Sequence, residues 1–143
     1  TEAETEAAKK DTYGPEEEWV VAGQWKLVVH SAEAVEYRNE FEETDPAEVV
    51  KITFSYENLG FEDDVQDLFL TPSSAIDANG NMGAFYPGNV ETYVQPTPVG
   101  AKMNNAEEFF GLETVGDTIK VIFDTYDGNF NRQKAVFELP ITK

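Results

Sequence analysis

From Trp19 onward, the chain alternates apolar and polar residues with a period of two. In the segment VVKITFSYEN, the apolar residues Val50, Ile52, Phe54 and Tyr56 are each separated by one polar residue. The same alternation runs through DTIKVIFDTYD and RQKAVFELPI near the C-terminus. Because successive side chains of a strand point to opposite faces of its sheet, this pattern predicts strands with one buried face.

Further strands are predicted along the rest of the chain, and we find no convincing run with helical spacing. GQWKLVVHSAEAVEY predicts a long strand, and shorter strands are predicted at 68–70, 90–94 and 108–114. Turn-forming pairs separate these segments: Asp45-Pro46, Asn79-Gly80, Pro87-Gly88, Gly116-Asp117 and Asp127-Gly128. The predicted fold is therefore all-β, an immunoglobulin-like antiparallel β-sandwich of about seven to eight strands over residues 19–143. Six large apolar residues should face inward from its two sheets: Trp25, Leu27, Ile52, Phe54, Phe123 and Phe137.

The first 18 residues have a different composition from the predicted domain. They contain seven acidic residues and two lysines, and their only bulky apolar side chain is that of Tyr13. Such a segment buries too little apolar surface to offset the entropy lost on ordering. We therefore predict a disordered acidic tether over residues 1–18, following a removed signal peptide, since the sequence does not begin with methionine.

Charge and cysteine content exclude several classes of function. With 28 acidic and 10 basic residues the net charge is −18, which repels phosphate backbones and anionic lipid surfaces. We therefore expect no nucleic-acid binding. The chain has no cysteine, so disulfides, zinc–thiolate sites and thiol catalysis are excluded. No cofactor is predicted.

The segment DGNFNRQKAVFE resembles the spacing of a calcium loop. Four oxygen-bearing residues occupy its first, third, fifth and twelfth places: Asp127, Asn129, Asn131 and Glu138. However, Arg132 stands where the loop requires glycine, and both flanks are predicted strands rather than helices. The segment therefore favours a hairpin with its tip at 127–131. A non-helical calcium site at this tip is the alternative, with Asp124, Asp127, Asn129 and Asn131 as ligands.

Candidates for catalysis are few. His30 is the only histidine, so any Ser/His/Asp arrangement must include it, and we favour a solvent-facing or hydrogen-bonded strand residue over a catalytic one. Paired carboxylates could hydrolyse a polysaccharide, but 28 acidic residues supply such pairs by chance. No glycine-rich phosphate loop is present.

Three aromatic residues lie in the Pro/Gly-rich segment GAFYPGNVETYVQPTPVG. Phe85, Tyr86 and Tyr93 would suit sugar or peptide binding if their rings were exposed in a loop. The alternative, which we favour on size alone, is that they pack over an edge of the sheet. These three residues are the predicted ligand-binding candidates.

Four segments together resemble a family of bacterial extracellular immunoglobulin-like domains of unknown function. They are AGQWKLVVHSAEAV, VVKITFSYENLGFED, LFLTPSSAIDANGN and PTPVGAKMNNAEEFFGL, and the resemblance covers roughly residues 19–141. The family is common in Gram-positive surface lipoproteins and includes the mycobacterial immunoprotective extracellular antigen. The resemblance implies a secreted or lipid-anchored β-sandwich and carries over no catalytic residue. No lipobox cysteine occurs in this sequence.

Together these observations predict a non-enzymatic β-sandwich module that is exported and exposed at the cell surface. Its expected partner is a protein or carbohydrate at that surface, with membrane contact only through a lipid anchor outside this sequence. The alternatives are an enzyme that acts on a polysaccharide through paired carboxylates and a structural domain stabilised by calcium.

Overall fold

The computed structural model describes residues 12–143, which form nine strands and no helix. No helix in this part of the chain is therefore long and apolar enough to cross a membrane. The strands, in chain order, are β1 (Thr12–Tyr13), β2 (Trp19–Val21), β3 (Trp25–Val35), β4 (Glu48–Asn58), β5 (Ser74–Ile76), β6 (Ala84–Phe85), β7 (Lys102–Leu112), β8 (Thr118–Tyr126) and β9 (Arg132–Thr142). The prediction of an all-β fold is confirmed.

The strands form one mixed sheet that nearly closes into a barrel. Its order is β5-β8-β9-β3-β4-β7-β6, with β1 beside β9 and β2 beside β3. The ends of the sheet approach each other where the backbone N–H of Gly83 donates to the carbonyl of Ala75 at 2.8 Å. Two pairings are parallel, β1 with β9 and β3 with β9. The prediction of a wholly antiparallel arrangement is therefore wrong for these two pairs of strands.

The interior is filled by the apolar faces that the alternating pattern marks. All six predicted core residues are buried, and Trp25, Leu27, Ile52, Phe54 and Phe137 have no exposed surface. The rings of Phe54 and Phe123 meet edge to face, with 5.6 Å between their centroids, and Phe123 meets Phe137 in the same way. Aromatic contacts therefore join β4 to β8 and β9 across the interior.

Short strands were predicted less well than long ones. Strand β7 begins at Lys102 rather than at 108, and 90–94 contains no strand. Segment 68–70 contributes only an isolated bridge between Leu68 and Thr97, and the three-residue strand Ser74–Ile76 was not predicted. Alternation over two or three residues carries too little signal to mark a strand, so its neighbours decide whether it pairs.

The N-terminal boundary also differs from the prediction for residues 1–18. Residues 1–11 lie outside the described part of the chain, but Thr12–Tyr13 pair in parallel with Val136–Phe137. The ring of Tyr13 is buried and stacks on Phe137 at 5.2 Å. Strand β3 pairs with β9 only at Ile141 and Thr142, which leaves the preceding edge of β9 open to β1. Backbone pairing with β9 and the buried ring of Tyr13 together attach this part of the predicted tether to the core.

Candidate functional site

A chain of polar contacts crosses the outer face of β3, β4 and β7. The ring of His30 lies between two partners, with Nδ1 2.7 Å from Oε1 of Glu16 and Nε2 2.7 Å from Oγ of Ser55. The backbone N–H of Asn105 donates to the same Oγ at 2.8 Å. A carboxylate, an imidazole and a serine hydroxyl are thus connected in the order found in hydrolase triads.

The direction of these hydrogen bonds follows from the chemistry of the groups. The ionised carboxylate of Glu16 can only accept, so Nδ1 of a neutral His30 carries the proton and donates it. Nε2 then has a lone pair and no proton, so it accepts from the Ser55 hydroxyl. In this tautomer His30 is oriented to receive a proton from Ser55.

Irregular backbone brings these three side chains together. Glu16 has a positive φ of 64°, held by a hydrogen bond from its N–H to the carbonyl of Val29 at 2.9 Å. The pairing of β3 with β4 shifts register between Val29 and Ser31, so His30 lies in a bulge. Strand β7 has a second register shift, and Asn105 there has a φ of 57°. Bulges change the direction of a side chain relative to a regular strand, and they are common beside functional sites.

A small surface depression of 170 Å³ adjoins Ser55. Its floor includes Val28 and Tyr56, and its polar lining comes from four strands or adjoining segments: Glu18, Lys26, Glu57, Lys102 and Asn104. Two lysines and two glutamates leave this lining without a dominant charge, although the whole chain has a net charge of −18.

The three aromatic ligand candidates do not form one exposed surface. Phe85 is 55% exposed and Tyr93 is 67% exposed, whereas Tyr86 is only 5% exposed. Tyr86 packs with Val49 and Phe109, and its hydroxyl accepts a hydrogen bond from the N–H of Asn39 at 2.8 Å. Tyr86 therefore offers no exposed ring to a ligand, because this large ring fills a second small core outside the barrel interior.

Phe85 and Tyr86 nevertheless border the same apolar groove beside β6. The groove has a volume of 430 Å³, and Tyr93 does not line it. Its apolar lining comes from Pro46, Ala47, Met82, Ala84, Phe85 and Leu112. The ring of Phe85 stacks on the buried ring of Phe110 with 5.0 Å between centroids, which holds the exposed face of Phe85 at the groove.

The predicted calcium ligands lie at the β8–β9 hairpin, where each carboxylate already has partners. Asp124 forms a two-point ion pair with Arg132. Asp127 accepts from the N–H groups of Asn129 and Asn131 through Oδ1, and from the amide of Gln133 through Oδ2. The hairpin predicted at 127–131 is present. The carboxylates of this hairpin therefore have their partners within the hairpin itself.

The turn after β5 repeats this arrangement. Asp77 accepts from the N–H groups of Asn79 and Asn81, and its second oxygen accepts from the hydroxyl of Thr114 at 2.8 Å. In both loops the residue before the final asparagine has positive φ, 86° at Gly80 and 63° at Phe130. Across residues 12–143, no group of three or more histidine, cysteine or acidic side chains is placed to hold a metal ion.

Because of these two aspartates, the stability of the fold depends on pH in the acidic range. Burial alone would raise the pKa of each carboxyl, but the hydrogen bonds to it together hold the pKa of Asp77 and Asp127 below the ordinary value of 3.8. A carboxyl group whose pKa is lower in the folded chain than in the unfolded chain stabilises the fold. Its full contribution is present at pH values above the pKa of the unfolded chain. That contribution is lost as the pH falls through the pKa that the carboxyl group has in the folded chain.

We therefore expect the melting temperature to fall as the pH drops below about 4. In Asp127→Asn, the amide can still accept from the turn N–H groups but no longer titrates, so the fall should be smaller than in the unchanged protein. Melting curves collected across this pH range test the prediction, with Asp117→Asn as a control at an exposed turn position. Equal acid sensitivity of Asp127→Asn and the unchanged protein would contradict it.

The sequence was also compared with known proteins. It matches no protein-family model, and no similar protein was found among curated proteins or solved structures.

Proposed function

We propose that this chain is an interaction module that binds a protein partner through the apolar groove beside β6. The observation that supports this proposal best is the position of Phe85. Its ring is 55% exposed at the groove while its other face stacks on buried Phe110. An aromatic ring that is already fixed loses little conformational entropy on binding, and such rings supply much of the energy of protein interfaces.

The charges at the groove indicate which kind of partner fits. Asp45 and Glu113 stand at its margins, and among the described residues that line it none is a lysine or arginine. An apolar centre with carboxylates at its edge complements a segment that carries one large apolar side chain flanked by lysine or arginine. The flexible side chain of Met82 allows the groove to fit apolar groups of different shapes.

We expect peptides selected from a random display library to place an apolar residue between cationic ones. Replacing Phe85 by alanine should weaken their binding about tenfold, which is about 1.4 kcal/mol. Raising the salt concentration from about 0.1 M to about 1 M should also weaken it, because the Debye length falls from about 10 Å to about 3 Å. Fluorescence anisotropy with labelled peptides measures both effects.

Tyr93→Ala is the matched control, because it removes an exposed aromatic ring that does not line the groove. Its affinity for the selected peptides should equal that of the unchanged protein. Melting curves for both variants separate lost contacts from lost folding. Peptides that bind Phe85→Ala as tightly as the unchanged protein, or a preference for oligosaccharides at the same groove, would overturn the proposal.

We further propose that the fold is a variant of the immunoglobulin-like sandwich and that the protein is exported to the cell surface. The short parallel contact of β3 with β9, at Ala32 and Glu33, supports two layers, β5-β8-β9 and β3-β4-β7-β6. Export is supported by the acidic N-terminal composition and by the family resemblance. An experimental structure with β3 and β9 paired along their length would contradict the first proposal. Failure of external protease to reach the protein on intact cells would contradict the second.

A further inference from the structure

We propose that Ser55, His30 and Glu16 form a hydrolytic site for short-chain carboxylic esters, a function beyond the proposed binding role. Both contacts of His30 measure 2.7 Å, and the only histidine of the chain is thus placed between a carboxylate and a serine hydroxyl. Ser55 and His30 would act on the substrate. Glu16 would be a positioning residue that fixes the tautomer and orientation of the imidazole.

The backbone around these residues adopts uncommon conformations. Glu16 and Asn105 both have positive φ, which is uncommon for residues other than glycine and concentrates at functional sites. His30 also lies at a break in strand register. Two of these irregular positions, His30 and Asn105, contact the hydroxyl of Ser55 directly, and the third, Glu16, contacts His30.

The reaction can be written with the groups present. Oγ of Ser55 attacks the ester carbonyl carbon while its proton passes to Nε2 of His30. The bond to the alcohol oxygen then breaks, and Nε2 returns the proton to that oxygen. Water attacks the acyl-serine in the second half and gives a proton to Nε2. The acyl–Oγ bond breaks, Oγ regains the proton, and the carboxylic acid leaves.

The depression beside Ser55 sets the class of substrate. Its volume of 170 Å³ suits a short acyl group, and its position on an exposed strand face leaves the alcohol part in solvent. Lys102 and the side-chain amide of Asn104 line it from β7. Together with Lys26 from β3, these residues are the donors available to the negative charge that develops on the carbonyl oxygen.

The tautomer of His30 gives a test that does not depend on turnover. Because the chain has one histidine, ¹⁵N-labelled histidine produces signals from this ring alone. At a pH where the ring is neutral, Nδ1 should carry the proton and Nε2 should not. Protonation at Nε2 instead would leave Ser55 without an acceptor for its proton and would overturn the proposal.

A fluorophosphonate reagent tests the reactivity of the serine. Oγ of an activated serine displaces fluoride from phosphorus, and the protein gains the mass of the phosphonyl group. The chain contains four serines, at 31, 55, 73 and 74, so peptide mapping has three internal controls. We expect labelling at Ser55 alone, and none after denaturation. Equal labelling of all serines, or none, would count against an activated hydroxyl.

Hydrolysis of p-nitrophenyl acetate tests turnover directly. Ser55→Ala should reduce the rate to that of buffer. His30→Gln should do the same while the melting temperature holds, because the glutamine amide can hydrogen bond but cannot accept the proton. Glu16→Gln should lower kcat at least tenfold with KM unchanged, whereas Glu33→Gln, a carboxylate paired with Lys51 elsewhere on β3, should change neither. Hydrolysis that survives both Ser55→Ala and His30→Gln, or its absence from the unchanged protein, would refute the site.

Discussion

Replacing Phe123 by alanine should destabilise the fold by about 3–5 kcal/mol, the usual loss for a buried aromatic residue. Its ring lies at the centre of the interior, where it contacts Trp19, Phe54 and Phe137. Truncation would remove apolar burial and leave a cavity that three other rings cannot close without moving. The melting temperature should fall by roughly 10 °C.

Urea unfolding measures this loss, provided that the slope of free energy against urea stays unchanged. Tyr126→Ala is a control on the same strand, since its ring is 60% exposed and its removal should cost about 0.5 kcal/mol or less. A loss below about 1 kcal/mol for Phe123→Ala would show that the interior is not packed as described.

Replacing Asn58 by alanine should cost about 2–4 kcal/mol, a large effect for a polar residue. Its side chain has no exposed surface and forms four hydrogen bonds with the backbone. The amide donates to the carbonyls of Phe61 and Thr97, and the oxygen accepts from the N–H groups of Gly60 and Phe61. In the alanine variant the N–H of Gly60 would keep the carbonyl of Gln24, and the carbonyl of Thr97 would keep the N–H of Leu68. The N–H and carbonyl of Phe61 would lose their partner, and each unpaired group shielded from water costs about 1–3 kcal/mol.

Two further variants make the test of Asn58 specific. Asn58→Asp retains the two acceptor contacts but loses both donors and buries a charge, so at neutral pH it should destabilise at least as much as alanine. Asn104→Ala, at an exposed position on β7, should change the free energy of unfolding by about 0.5 kcal/mol or less. If Asn58→Ala unfolds at the same urea concentration as the unchanged protein, the four hydrogen bonds contribute little net stability.

The loop that follows Asn58 requires glycine at position 60. A Cβ at Gly60 would lie 2.4 Å from the backbone oxygen of Gly23, so the loop passes too close to the β2–β3 turn for any side chain. The Asn58-Leu59-Gly60 sequence at the end of β4 is thus a packed junction of two backbone segments.

The sequence alone determined the class of the fold and the composition of its core. Alternation over nine to eleven residues in β3, β4, β8 and β9 fixed which faces are buried, because each strand repeats the signal several times. Phe54, Phe123 and Phe137 were identified as core residues on that basis, and all are buried. The hairpin at 127–131 was recognised because Asp-Gly and Asn favour tight turns and Arg132 does not fit a calcium loop.

Only the tertiary structure decided which residues meet across segments. Glu16, His30 and Ser55 are separated by 14 and 25 residues, and none of the three has a sequence pattern that points to the others. Their contact depends on bulges and on the path of the chain before β2, which alternation does not encode. The burial of Tyr13 and Tyr86 follows the same rule, because each ring packs where neighbouring strands leave an edge or hollow open. Local pattern therefore specifies the inward face of each strand, while the outer surface and its sites depend on how the strands pair.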